Sequence, residues 1–165
     1  MPNDSTHPSQ PGLTTSETIE TLLQRRSIRK YSDAPVTDAQ VDAILQAAFR
    51  APTSSNIQSY TVITVRDPET KQKLSVPAGN QKHIVDCPVF LAFCADLTRL
   101  EHVLQERGHT LEDNNLEIGL VSSIDASLVG MSAYLAADSL GIKGVMIGAV
   151  RTVSYTHLRA HETPI

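Results

Sequence analysis

The apolar positions near the start of the chain recur with a helical period. Ile19, Leu22 and Leu23 fall on one face of a segment that opens at Thr14. Thr14 and Glu17 match a capping box, in which each side chain satisfies the other residue's free backbone N–H. We therefore expect a first helix that starts at Thr14 and ends near the basic residues that follow Gln24.

A second helix is indicated by a fuller start signal. Thr37 is placed as the N-cap, Gln40 completes a capping box, and Val36 is spaced to pack on Val41. Pro52 disfavours helical conformation in the residue before it and so ends the segment. The predicted buried face consists of Val41, Ile44, Leu45 and Ala48.

Three apolar runs predict strands. Tyr60–Val65 is rich in β-branched residues, and Val89–Ala95 is apolar on both faces, which is typical of a strand in the middle of a covered sheet. Gly144–Val150 is the third predicted strand. Helices are predicted between them at Pro68–Leu74, Gln81–Val85 and Leu97–Arg107.

A long helix is predicted from Glu117 to Leu140, with Gly141 as its C-terminal cap. Nearly every position in it is apolar or small, and a helix that is apolar all round must be buried all round. We expect a second subunit to cover the surface around Ala126, Gly130 and Ala133. Asp125, a charge inside this apolar run, needs a partner, and a structural hydrogen bond or ion pair is favoured over a catalytic role.

These elements predict an α+β fold, a mixed and mainly antiparallel sheet sandwiched by helices with the long helix at its centre. The chain has 165 residues, 41% of them hydrophobic and 19% charged, which is typical of a single globular domain. Its net charge of -4 argues against sequence-independent nucleic-acid binding. No apolar run approaches the roughly 20 residues of a membrane span, and no secretory signal is recognisable, so we expect a cytoplasmic protein. Cys87 and Cys94 are expected to be reduced thiols.

Against this acidic background, four of the fourteen basic residues lie within six positions. Arg25, Arg26, Arg29 and Lys30 surround Ser27. Cations near a helix C-terminus complement the helix dipole, which is one explanation for the first two. The next two repel them unless an anion sits among them, and guanidinium groups bind phosphate oxygens through paired N–H donors. The sequence leaves both explanations open.

Two further polar segments are candidates for ligand contacts. In the loop before the first predicted strand, Ser54, Ser55, Asn56 and Gln58 form either a solvated turn or a ligand-binding loop. The segment around Gln81 presents the same two alternatives, a helix start or an amide that faces a ligand.

The order of these segments resembles the FMN-dependent nitroreductase family, and in particular its NADPH-preferring, oxygen-insensitive branch. The resemblance rests on "RRSIRKYSD", "APTSSNIQS", "GNQKHI", "FCAD" and "LAADSLGIKGVMIGAVR" and runs from about Thr14 to Arg151. It implies a nitroreductase-like fold. It also implies an FMN site at Arg25, Arg26, Ser27, Arg29, Ser54, Ser55, Asn56, Gln81, Ile147, Gly148 and Ala149.

The resemblance further implies how such a protein works. FMN carries the chemistry, so no catalytic side chain and no metal site is expected. NADPH or NADH would reduce the flavin, and a nitroaromatic, quinone or related small acceptor would reoxidise it in a ping-pong cycle. A homodimer is implied. A flavin-binding module without turnover and an inactive fragment are the alternatives.

The end of the chain does not fit this reading. Val153–Pro164 resembles the translation of a sequencing-library adapter, so we expect residues 14–151 to form a partial FMN-binding domain and residues 152–165 to be a non-native tail. Residues 1–13 lack an apolar period and are expected to be a disordered leader. On this interpretation the native protein is longer, and the chain binds FMN and dimerises weakly.

Overall fold

The computed structural model describes residues 14–111 and 116–150. The predictions for the leader and for residues 152–165 lie outside these ranges. Six helices and two strands lie within them, together with a short 3-10 turn at Ser54–Asn56. Their bounds are α1 Glu17–Gln24, α2 Asp38–Ala48, β1 Tyr60–Val65, α3 Pro68–Ser75, α4 Lys82–Asp86, β2 Phe90–Ala95, α5 Thr98–Glu106 and α6 Leu116–Ser139.

The two capping predictions have different outcomes. Thr37 and Gln40 form the predicted capping box at α2, with the Gln40 N–H 3.2 Å from the Thr37 hydroxyl and the Thr37 N–H 2.9 Å from the Gln40 side-chain Oε1. The capping box of Thr14 and Glu17 is wrong. Ser16 is the N-cap of α1, because its extended backbone places its hydroxyl to accept from the Ile19 N–H at 3.4 Å.

The sheet in the described ranges consists of β1 and β2, paired antiparallel with Tyr60 opposite Ala95 and Val65 opposite Phe90. One face of this sheet packs on the core through alternate residues of each strand, as the two-residue period of a strand requires. These residues are Tyr60, Val62, Leu91 and Phe93.

The predicted third strand at Gly144–Val150 is wrong. Residues 144–148 have no strand conformation, and residues 149 and 150 are helical. The carbonyl of Gly144 accepts from the Ile28 N–H at 2.8 Å, so this segment contacts the residues after α1. The segment contributes to packing, since a methyl group placed on Gly130 would lie 3.4 Å from Met146.

The core is built on α6. Ile44 and Ala48 of α2 pack with Val129 and Ala133 of α6, and the sheet closes the other side. Gly141 ends α6 as predicted, with a φ of 76° that glycine adopts readily.

The expectation that a second subunit covers Ala126, Gly130 and Ala133 is wrong. All three are buried by their own chain, and Ala133 is 3% exposed. The exposed apolar residues of α6 lie on another face of the helix, at Leu116, Leu120, Ile124 and Leu128. The helix is therefore buried on one side only.

By length and apolar composition alone, α6 qualifies as a possible membrane span. A core helix of a soluble protein meets the same criterion. Here α6 packs against α2, β1 and β2 and buries two carboxylates, Asp125 and Asp138.

Candidate functional site

The basic segment after α1 begins at its C-cap residue, Arg25. The guanidinium of Arg26 turns back and donates to the carbonyls of Leu23 at 3.1 Å and Arg25 at 2.9 Å. These bonds satisfy carbonyl groups that a helix end leaves free. For Arg26, the structure therefore supports the helix-end explanation.

Tyr134 of α6 connects this segment to the chain after α6. Its hydroxyl lies 2.8 Å from the Arg26 carbonyl and 3.1 Å from the Gly144 carbonyl, and it accepts from Arg25 at 3.4 Å. The Arg25 guanidinium also lies 5.6 Å from the centre of the Tyr134 ring, within the range of a cation–π contact. Two segments predicted to contribute to one site are thus held side by side.

Arg29 and Lys30 line a cleft of about 500 Å³ together with Lys82 of α4. Lys82 is paired with Asp86 at 2.6 Å. In residues 14–111 and 116–150, no ion pair neutralises Arg29 or Lys30, and both side chains are exposed. Asp33 also lines the cleft, so three cations and two carboxylates leave it a small excess of positive charge.

Tyr31 lines the same cleft and is partly buried. Burial raises the pKa of its phenol above the ordinary value, while the Arg29 guanidinium acts in the opposite direction. The phenol is therefore neutral at pH 7.

Gln81 is the N-cap residue of α4, but its side chain makes no capping bond. The turn before it uses left-handed backbone at Gly79 and Asn80, and the next residue, Lys82, lines the cleft. Gln81 is half-buried and is not among the residues that line the cleft.

The loop between α2 and β1 carries the predicted Ser54, Ser55 and Asn56, all exposed. Ser55, Asn56 and Gln58 have φ values of 49°, 56° and 56°. Left-handed backbone is uncommon for residues other than glycine. Three such residues within four positions therefore indicate a loop whose conformation is held by its surroundings. The Gln58 amide donates to the Asn56 side-chain oxygen at 3.3 Å.

Beneath this loop lies the carboxylate of Asp125, which is 0% exposed. It accepts from the Ser54 N–H at 3.0 Å, from the Ser59 N–H at 3.3 Å and from the Ser59 hydroxyl at 3.1 Å. The predicted structural hydrogen-bonding role of Asp125 is confirmed.

The last predicted group consists of Ile147, Gly148 and Ala149. Ile147 and Gly148 lie in the irregular segment after α6, and Ala149 starts a helical turn. Gly144, a few residues earlier, is the point at which Ile28 and Tyr134 hold this segment beside the arginines.

Asp96 closes the far end of the loop. Its N–H donates to the Ser59 carbonyl at 3.1 Å, and Arg99 donates to the Gln58 carbonyl at 2.5 Å. Hydrogen bonds from the Thr61 hydroxyl and the Thr98 N–H hold the pKa of the Asp96 carboxyl down to about 2.

The nitroreductase family matches residues 22–161 of this sequence. The chain belongs to the nitroreductase family. Among curated relatives, it is 46% identical over 138 residues to an FMN reductase [NAD(P)H] of Bacillus subtilis, and 39% identical over 136 residues to an oxygen-insensitive NADPH nitroreductase of Salmonella typhimurium. Both alignments cover 82% of this chain and 55% of the relative.

Solved structures agree with this assignment. The structure of NfrA2 from B. megaterium superposes with a TM-score of 0.82 at 39% identity, over 91% of this chain and 61% of the other. The α+β class and the long helix are therefore those of the nitroreductase family. The chain spans little more than half the length of the curated nitroreductase relatives described above.

The structure joins some of the predicted site residues of this nitroreductase chain directly and others only through α6. Arg25 and Arg26 are linked to Gly144 by Tyr134, and Ser54 is linked to α6 by Asp125. The assignment of these residues to flavin binding stays a prediction. The sequence analysis did not predict the anchoring roles of Tyr134 and Ser59. The only indication in the sequence is that each carries a polar group and has apolar neighbours.

The low pKa of Asp96 gives a prediction for acid stability. A depressed folded-state pKa stabilises the fold fully above the ordinary value near 4, and this contribution is lost as the pH falls through about 2. In Thr61→Val, the largest cause of the depression is removed, so the pKa of Asp96 should move back toward its ordinary value. Titration of the carboxyl carbon by NMR measures this.

Thr64→Val is the matched control, because Thr64 lies on the same strand and is exposed. It should leave the pKa of Asp96 unchanged. An unaltered pKa in Thr61→Val would contradict the role assigned to the hydroxyl.

Proposed function

We propose that this chain binds FMN and belongs to an NAD(P)H-dependent oxidoreductase that reduces nitroaromatics, quinones or related small acceptors. The observation that carries the proposal is the pair of exposed cations, Arg29 and Lys30, that form no ion pair with any described acidic residue. The names of the relatives, an FMN reductase and an NADPH nitroreductase, support the same chemistry.

The described residues fit an FMN phosphate. A dianion placed in the cleft would neutralise Arg29 and Lys30, and a guanidinium provides paired N–H donors to phosphate oxygens. Ser27 is exposed in the same segment and adds a hydroxyl. Arg26 is already bonded to backbone carbonyls, so we assign the main phosphate contact to Arg29.

The remaining contacts are proposed for the other residues that the sequence indicated. Gln81, whose amide is not used in capping, is proposed to bond the pyrimidine edge of the flavin. The loop at Ser54–Asn56 and the segment at Ile147–Ala149 are proposed to contact the ribityl chain and the ring. When bound, FMN supplies the two-electron transfer between NAD(P)H and the acceptor.

The charge near the flavin is set by Arg29. Lys82 lies in the same cleft, but Asp86 pairs with it and cancels most of its field. A positive group that has no such partner in the described ranges stabilises an anionic reduced flavin better than a paired one does. We therefore propose that Arg29, together with Gln81, tunes the reduction potential.

A homodimer is also part of the proposal. Leu116, Leu120 and Ile124 of α6 are 79%, 53% and 55% exposed, which is unusual for three large apolar residues on one helix face. A second copy of the chain is proposed to cover this face. Location in the cytoplasm remains a prediction from the sequence.

Removing the proposed phosphate contact should weaken FMN binding. We expect Arg29→Ala to raise the FMN dissociation constant by roughly tenfold to a hundredfold, the range for losing a charge-assisted hydrogen bond. Quenching of FMN fluorescence on titration with protein measures it. Arg107→Ala, an exposed arginine at the end of α5, is the matched control and should bind FMN like the parent.

Turnover separates an enzyme from a passive flavin-binding module. We expect NADPH, mixed with the FMN-loaded chain in the absence of oxygen, to bleach the visible absorbance of the flavin. A nitroaromatic or quinone added afterwards should restore that absorbance. A flavin that stays oxidised in excess NADPH and NADH would support the binding module instead. Arg29→Ala having no effect on FMN binding would support an inactive fragment.

The dimer is tested by placing a charge on the exposed face of α6. Leu120→Glu should weaken dimerisation at least tenfold, because a carboxylate would have to lose its water in the interface. Sedimentation velocity measures it over a concentration series. Val76→Glu, at a residue that is 57% exposed after α3, is the control. A parent chain that stays monomeric at all concentrations would contradict the dimer.

A further inference from the structure

Asp125 is a fully buried carboxylate inside the longest helix. Among the residues that the structure describes, no lysine or arginine pairs with it. A buried charge of this kind is stable only when hydrogen bonds replace the water it has lost. Its bonds go to the loop that precedes β1.

The two carboxylate oxygens hold the two ends of that loop separately. Oδ1 accepts from the Ser54 N–H, and Oδ2 accepts from both the N–H and the hydroxyl of Ser59. Ser59 is 1% exposed, whereas residues 54 to 58 are exposed. Asp125 therefore clamps a short exposed loop at both of its ends.

The loop needs such a clamp because of its backbone. Ser55, Asn56 and Gln58 are all left-handed, a conformation that non-glycine residues leave when nothing holds them. Hydrogen bonds from Gln58 to Asn56 and from Arg99 to the Gln58 carbonyl are on exposed groups, where water competes. The buried bonds to Asp125 are the stronger constraint.

We infer that Asp125 is a positioning residue for flavin binding, which holds Ser54, Ser55 and Asn56 in the conformation that meets the cofactor. The inference rests on the proposed function. Asp125 does not reach the cofactor itself, since it lies beneath the loop. An aspartate is required because all three groups that face it are donors, and only a carboxylate is acceptor-only at both oxygens.

The test is Asp125→Asn, which keeps the size of the side chain and turns one acceptor into an NH₂ donor. We expect the FMN dissociation constant to rise about tenfold or more, the effect of leaving buried donors unsatisfied. Amide hydrogen exchange of residues 54–59, measured by mass spectrometry without FMN, should become faster by a similar factor.

Ser122→Ala is the matched control. Ser122 lies about one turn earlier on α6, is 2% exposed, and donates to the Ile118 carbonyl of its own helix at 2.8 Å. This substitution removes a buried hydroxyl of α6 whose hydrogen bond lies within the helix and does not involve the loop. Both FMN affinity and exchange of residues 54–59 should match the parent.

Each outcome decides the question. A parent chain that binds no FMN overturns the proposed function and this inference with it. A parent that binds FMN only as tightly as Asp125→Asn overturns the positioning role alone, even if exchange of the loop is faster. If Asp125→Asn does not fold, Ser59→Ala removes one of the three donors and should weaken FMN binding about threefold; unchanged affinity overturns the inference.

Discussion

The hydrogen bonds of the buried Asp125 carboxylate are the interaction that holds the loop before β1 to the core of the fold. They connect α6, which forms the core, to Ser59, the residue immediately before β1. The carbonyl of Ser59 in turn accepts from Asp96, the residue immediately after β2. One buried polar cluster therefore fixes the start of β1, the end of β2 and the exposed loop beside them. Its cost is the desolvation of a charge, which three donors offset.

Tyr134 forms a second polar anchor on the same helix. It lies nine residues after Asp125, about 14 Å along the helix axis and on the opposite side. It holds the segment after α1 against the segment after α6. A mainly apolar helix thus holds three segments that are far apart in sequence. This arrangement explains how loops with few apolar contacts of their own keep defined positions.

The basic segment divides into two pairs with different environments. Arg25 and Arg26 are bonded to Tyr134 and to backbone carbonyls, so much of their hydrogen-bonding capacity serves the fold. Arg29 and Lys30 line the cleft and form no ion pair with a described residue, although Asp33 lines the same cleft. The helix-end explanation therefore applies to Arg26, and anion binding by Arg29 and Lys30 stays a prediction.

What the sequence by itself determined is local. The capping box of Thr37 and Gln40, the bounds of β1 and the end of α6 at Gly141 depend on residues within one turn or one strand, and all were predicted correctly. Only the tertiary structure decided which face of α6 is buried, why Gly144–Val150 is not a strand, and which groups Asp125 and Tyr134 hold. These depend on contacts between residues from 10 to more than 100 positions apart. The spacing of apolar residues along the chain does not indicate which residues contact one another. A buried helix face and an exposed apolar helix face show the same spacing of apolar residues.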